Sequence, residues 1–449
     1  MGQVAAATTD VHDERPRGTA SAAFRTRAFR IIWLGSFASN IGTWMQTLVL
    51  PAYIDKRTES GAMVGLFTFA QLGPLLLLSI AGGMLADRFP RKPWIATMQF
   101  GALALTLVMA WFVHMDASVW ALLVVQLFTG ITNALNAPAM QGVVPALVDP
   151  VDLPGAISLN SVMINGSRVI GPVIAAALMA GGMSVSDILV INAVTYLFII
   201  FSLKLVQFPH IGAATDAKGW ANFFTGLHIV RRRSVLARIL IGMAVFSFVS
   251  LAFVGLFPTV ARLNFGLDTT GSTYKWLYAT WGLGAMCGAL SIGTVFAGRD
   301  KRKMISPLFL GFAASLTVFA FLRHAGPAFP VGFAMGFFYF AMTTCMMTVF
   351  QQNVLNSERA RVMSLWFMSF GGTVAIGNMA LGPVMDWIGP TPVLLAGAVT
   401  AVALAWYCNI PKRSGRTLEQ ELSGEQTGRD PLQADYSAAL DEHGISAGE

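Results

Sequence analysis

GGMLADRFPRKPW, residues 82–94, returns in altered form as GTVFAGRDKRKMI, residues 293–305, 211 positions further along the chain. The same displacement carries Gly171-Pro172 onto Gly382-Pro383, Gln141 onto Gln352, Ser158 onto Ser369 and Arg91-Lys92 onto Arg302-Lys303. Two copies of one apolar half, each with a short basic loop at the same depth, form the sequence pattern of a two-lobed membrane transporter.

Composition leads the same way. The chain is 55% hydrophobic and only 12% charged, with mean hydropathy +0.62; soluble domains carry about a quarter charged residues. Apolar runs of at least about 18 residues recur. They fall near 29–54, 61–86, 93–114, 118–138, 156–181, 184–206, 237–262, 272–298, 302–323, 328–352, 361–387 and 390–411. None alternates with a two-residue period, so helices are expected and a barrel is not. The expectation is an all-α membrane protein of twelve transmembrane helices in two pseudo-symmetric six-helix bundles. Its divisions are a cytoplasmic N-terminal tail (1–28), a first bundle (29–206), a linker (207–236), a second bundle (237–411) and a disordered acidic tail (412–449).

Residues 1–28 hold no apolar run, so the first span is expected to act as its own insertion signal. Of 30 Lys and Arg, only Lys56, Arg57, Arg262, Lys275 and Arg323 fall on one side of the spans, and Arg168 falls inside one. The rest collect on the other side, which places both termini in the cytoplasm of a bacterial plasma or inner membrane. The net charge of +7 is then a topology signal; no basic patch interleaved with stacking aromatics suggests nucleic acid. Cys287, Cys345 and Cys408 lie inside spans and far apart, and the six His are scattered, so neither a disulfide framework nor a metal site is expected. No cofactor is implied. In the linker, Trp220, Phe223, Phe224, Leu227 and Val230 recur at helical steps before Arg231-Arg232-Arg233, the pattern of an amphipathic helix on anionic headgroups.

Within 82–94, Gly83 permits close helix approach. Asp87 closes the helix end and can pair with Arg91, while Arg88, Arg91 and Lys92 hold the turn at the headgroups. Such a cluster either sets topology or latches two rigid bodies together. Its recurrence at Arg302 and Lys303 favours the latch.

Gly83 to Lys92 resembles the loop signature G-x-L-A-D-R-x-G-R-K of the major facilitator superfamily, with Pro90 replacing the last Gly. GTWMQTLVL (42–50), NAPAMQGVVPALVDPVDLPGAISLNS (136–161), SRVIGP (167–172) and ERARVMSL (358–365) are similar to the branch containing the enterobactin exporter and bacterial macrolide-efflux proteins. The resemblance runs from about residue 25 to 411. It implies two six-helix bundles rocking about a central cavity, export from the cytoplasm, and coupling to protons. The family's exporter pattern in the fifth span appears here as Ser158, Ser167, Gly171, Pro172, Ala175 and Ala176, small residues suited to tight packing between lobes. The Arg of proton-linked members is replaced by Gln126. Asp87 and Asp386 are then the candidates for proton coupling.

Arg168 lies about 18 Å into the fifth span at helical rise. An Arg there must face protein or water. It is either a cationic anchor for anionic substrate groups or an Arg hydrogen-bonded to carbonyls or Asn165. By analogy with the family, Asn40 and Trp44 on the first span, Gln126 and Asn133 on the fourth, and Tyr339 and Thr343 on the tenth line the cavity, with Tyr278 and Trp281 from the eighth. Amides among aromatics suit a bulky amphipathic solute, and the 22 Met and 32 Phe supply adaptable walls. The expected function is secondary active export of a drug, siderophore or other secondary metabolite by a monomer in the lipid bilayer, by proton antiport. The alternatives are an importer of a small organic nutrient and a transport-inactive sensor on the same scaffold. No nucleophile–base pair or phosphate loop suggests an enzyme.

Overall fold

The computed structural model describes residues 19–141, 143–149, 151–207, 219–354 and 359–410. Among them the regular structure is entirely helical. In a bilayer no water is available to the backbone, so each segment satisfies its own N–H and C=O groups. The first six long helices are Arg27–Thr58, Gly61–Arg88, Arg91–His114, Val119–Gln141, Leu153–Ala180 and Val185–Leu205. The seventh runs in pieces, Ser234–Val245, a π turn Phe246–Ser250, Ala252–Gly255 and Phe257–Phe265. Ser272–Gly293, Lys301–Phe321 and Ala325–Gln352 follow as the eighth to tenth. The eleventh is Arg359–Phe367, a π turn Met368–Gly372 and Thr373–Ile388, and Pro390–Tyr407 is the twelfth. Nine helical stretches among the described residues are long and apolar enough to cross a membrane. The first, second and eighth helices, of 32, 28 and 22 residues, have the length for the same passage, consistent with twelve crossings.

The sequence repeat becomes a repeat of packing. In the first half the first helix packs on the fifth and sixth, the second on the fourth, and the third on the fourth and sixth. In the second half the seventh packs on the eleventh and twelfth, the eighth on the tenth, and the ninth on the tenth and twelfth. Adding six to each number in the first set gives the second. Two seams join the halves, second helix against eleventh and fifth against eighth, and the same operation exchanges them. This is the pseudo-symmetric pair of bundles that the 211-residue displacement implies.

Large apolar side chains remain exposed around the outside, among them Trp111, Trp120, Phe198, Phe201, Trp387 and Trp406; in a bilayer they face acyl chains rather than water. Residues 19–25, expected in a tail, instead begin the fold. Thr19 caps the helix Ala20–Arg25 through the Ala22 N–H, Ala23 is buried, and Phe24 meets Trp33 edge-on at 5.4 Å. The linker helix spans Gly219–Arg232, with Val230 buried, Leu227 partly buried and Phe224 exposed. The side chains of Trp220 and Phe223, and residues 1–18 and 411–449 with the acidic tail, lie outside the described residues.

Candidate functional site

Arg168 is held between the halves. Ser167, fully buried, donates its hydroxyl to Ile164 O, and Val169 is buried on its other side. The guanidinium carbon then lies 5.1 Å from the Trp44 ring, 5.1 Å from Phe340 and 6.0 Å from Phe370. Trp44 belongs to the first half; Phe340 and Phe370 belong to the second, the latter in the π turn of the eleventh helix. The side chain is partly accessible, yet Nε is buried without a partner. Three cation–π contacts of about 0.5–2 kcal/mol each can offset the roughly 2.5–3.5 kcal/mol cost of an Arg at this depth. They supply no acceptor for its five N–H donors. Hydrogen bonding to carbonyls, one of the two expectations for Arg168, is not what its described surroundings provide; the Asn165 side chain lies outside them.

Tyr278, Trp281 and Tyr339 come together beside this cation, and both phenols lie within electrostatic reach of it. Trp281 stacks on Tyr339 at 6.0 Å, Tyr278 lies 5.5 Å from Trp281, and Phe340 meets Tyr339 edge-on at 4.4 Å. These rings are buried, continuing through Phe246 and Phe253 into the second half's core. The indole Nε1 of Trp281 is a second buried donor without an acceptor. Thr343 reaches the cluster by donating to Tyr339 O. The other expected lining residues do not join it among the described contacts. Asn40 donates to Ser36 O of its own helix, Gln126 is buried with Oε1 unpartnered, and Asn133 is half-buried. Sequence reasoning missed Phe340 and Phe370.

The helix ends near Asp55 carry a second constellation that crosses the halves. Arg262 Nε donates to Asp55 Oδ2 at 2.8 Å and Nη2 to Oδ1 at 3.2 Å, while Thr259 Oγ1 donates to Oδ1 at 2.8 Å. Asp55 is fully buried, and such a bidentate charge-assisted pair is among the stronger polar contacts. Asp386 of the eleventh helix accepts from the N–H groups of Gly61 (2.7 Å) and Ala62 (2.9 Å) and from the Ser60 hydroxyl (2.9 Å). A carboxylate from one half thus caps a helix N-terminus of the other, where orphan donors and the helix dipole favour negative charge. Thr269 donates to Ala52 O. Lys56 Nζ donates to Asp268 at 3.1 Å and to Thr270 Oγ1 at 2.6 Å.

The Lys56 bridge has a defined pH window. Partial burial pushes the Asp268 carboxyl up, but the amide and hydroxyl of Thr270, then Lys56, outweigh it and hold it below the ordinary carboxylate value. A depressed folded value contributes stability above the unfolded pKa of about 3.9, lost as pH falls through the folded one. Both side chains are more than half exposed, so the contribution is below about 1 kcal/mol. Titration of a spin-label distance across this seam should show no loosening between about pH 7 and 5 from this pair, and slight loosening only below the ordinary carboxylate range. Loosening near neutral pH in wild type that vanishes in Asp268→Asn would contradict the assignment.

In the fifth helix, Gly171 packs on the first helix of its own half. A Cβ on Gly171 would lie 2.6 Å from Ile41 O and 2.7 Å from the Trp44 Cβ, both on the first helix. Ala175 and Ala176 are buried, Pro172 lies inside the helix, and Ser158 is exposed. Two close approaches across the halves involve other glycines. Gly382, the repeat mate of Gly171, meets the backbone of Gly61 across the halves, and a Cβ on Gly282 would sit 3.7 Å from Arg168 O.

In the basic loops, Lys92 Nζ donates to Val206 O (2.9 Å), tying the first loop to the sixth helix of its own half. Arg302 pairs with Asp300 at 3.1 Å, while Lys301 bonds the carbonyls of Phe296, Ala297 and Arg299. Lys303 is exposed, and Arg91 is partly buried with a polar or electrostatic partner. Gly82 and Gly83, and the side chains of Asp87 and Arg88 with the latch expected of them, lie outside the described residues. Among the described residues no cluster of His, Cys, Asp and Glu could hold a metal ion.

Two six-helix bundles related by an internal repeat and joined along two helix seams, with a cation held between them, define a transporter of the major facilitator superfamily. The sequence profile of the family described as transmembrane secretion effector matches residues 18–429, and the chain belongs to that family. Three distant relatives each match over about four fifths of this chain or more. The staphyloferrin A transporter of Staphylococcus aureus is 23% identical over 364 residues, 79% of this chain and 88% of that protein. Macrolide efflux protein A of Streptococcus pyogenes is 24% identical over 399 residues, 85% of this chain and 95% of the relative. The enterobactin exporter EntS of Shigella boydii is 24% identical, covering 83% and 88%. Among solved structures, a bacterial homolog of the human lysosomal transporter Spinster shares the fold with a TM-score of 0.65 at 14% identity, covering 87% of this chain and 97% of that one. The protein is a multi-pass bacterial membrane protein.

Proposed function

We propose that the protein exports a bulky amphipathic organic compound, a drug, siderophore or other secondary metabolite, from the cytoplasm by alternating access coupled to proton antiport. The observation that carries this reading is the polar seam at the Asp55 end. Asp55–Arg262, Lys56–Asp268 and the Asp386 cap close that end across both halves. The sparse basic residues of the same end put it outside the cell, with both termini in the cytoplasm. A seam shut at that end leaves the cytoplasmic side for loading in this state of the cycle, and the relatives named for efflux and export support the outward direction. Asp87 and Asp386 are the carboxylates assigned to coupling, and the transporting unit is a monomer.

The test is retention of a panel of drugs, siderophores and secondary metabolites in cells with and without the protein. At least one compound should be retained several-fold less when the protein is present, and collapsing the proton gradient should remove the difference. Faster entry of the compounds would reverse the direction. Expulsion that survives gradient collapse would remove antiport.

A further inference from the structure

The cation held between the halves has charge to offer and no described acceptor. Arg168 makes no hydrogen bond or ion pair with any described residue; its contacts are the faces of Trp44, Phe340 and Phe370 and the fields of two phenols. Nε is buried and unpartnered, although the side chain as a whole is partly accessible. Trp281, packed at 6.3 Å on Phe340, brings a second unpartnered donor. Buried donors without acceptors are rare, and each one calls for a reason. A guanidinium among rings presents a planar fork that a carboxylate matches with two parallel hydrogen bonds.

We propose that Arg168 and its three-ring cage bind the carboxylate of the transported compound, making the substrate class a monoanionic amphipath whose apolar body lies among the neighbouring rings. The charge count favours one negative charge. A single cation at this depth neutralises a carboxylate, whereas a phosphate dianion would leave uncompensated charge in an apolar surround. The cage draws its rings from both halves, so the anion docks where the halves meet. This substrate class rests on the reading of the protein as a transporter of bulky organic compounds, but not on the direction of transport.

Equilibrium dialysis of the purified protein in nanodiscs tests it, with pyrenebutyrate, its methyl ester and pyrenemethylamine as probes. Wild type should bind the acid at least about tenfold tighter than the ester, the scale of hydrogen bonds to a charged group, and should bind the amine weakest. Arg168→Gln should lose acid binding alone, bringing acid and ester together, and Arg168→Lys should keep part of the preference. Unchanged ester binding in Arg168→Gln shows that the variant is folded. A wild-type protein that binds neither probe, or binds acid and ester alike, overturns the assignment, as does a preference that survives Arg168→Gln. Equal loss of acid and ester in both variants makes Arg168 a structural tie, and also overturns it. If the acid preference holds but intact cells holding the protein take the probe up faster, export fails while the carboxylate site stands.

Discussion

Asp55→Asn opens the seam between the halves. The substitution leaves Arg262 facing a neutral amide in a pocket where Asp55 is fully buried and only 22% of the Arg262 side chain is exposed. Removing one partner of a buried ion pair costs about 3–5 kcal/mol because the survivor stays uncompensated. Partial exposure of Arg262 lowers this to about 2–4 kcal/mol, which moves the closed-to-open ratio by roughly 30- to 1000-fold. Spin labels at Ser118→Cys and His324→Cys, exposed positions on opposite halves, report the change once Cys287, Cys345 and Cys408 are replaced. The distance distribution should shift from mainly short to mainly long. Asp55→Leu/Arg262→Leu should shift less than the single variant, since removing both charges leaves none stranded. An unchanged distribution in Asp55→Asn would show that the pair does not hold the end shut.

Gly65→Val should disrupt the same seam by crowding. A Cβ at Gly65 would collide with the carbonyl oxygen and carbon of Asn378, backbone atoms of the opposite half that no rotamer change can move. Small residues allow membrane helices this approach, and forcing extra volume into a packed contact costs about 1–3 kcal/mol or more. The label distance should lengthen and export should fall to background, while the protein remains monodisperse because packing within each half is untouched. Gly65→Ala should show an intermediate distance. Full export by Gly65→Val would mean that the second and eleventh helices do not need this approach in any state of the cycle.

The bundle architecture was legible because membrane insertion writes itself into sequence as long apolar runs, and duplication writes itself as a fixed displacement. The expected spans match the helices to within a few residues, and the 211-residue repeat reappears as a matched set of helix neighbours. What could not be read was which way each helix faces. The spans are apolar on every side, so no stripe fixes their rotation. Arg168 therefore announced itself by depth, but its rings did not. Phe340 looks like any other residue of GFFYFAM, and Phe370 is aimed by a π turn at Met368–Gly372 that has no local code. Asp55 and Arg262 are 207 residues apart. Each passed as a charge at a span end, and only the folded halves make them a pair. Asn378, buried with both amide atoms unpartnered beside Gly255, escaped notice for the same reason.

A reversible covalent bond across the seam tests most directly whether the halves must part at the Asp55 end in every transport cycle. A Cβ on Gly61 would lie 2.9 Å from Thr259 Cγ2 of the other half, so cysteines at both positions, in a chain lacking the three native ones, are placed to form a disulfide on oxidation. With a compound that the reduced protein exports, oxidation should abolish export and reductant should restore it. Export at an undiminished rate with the disulfide formed would contradict the account.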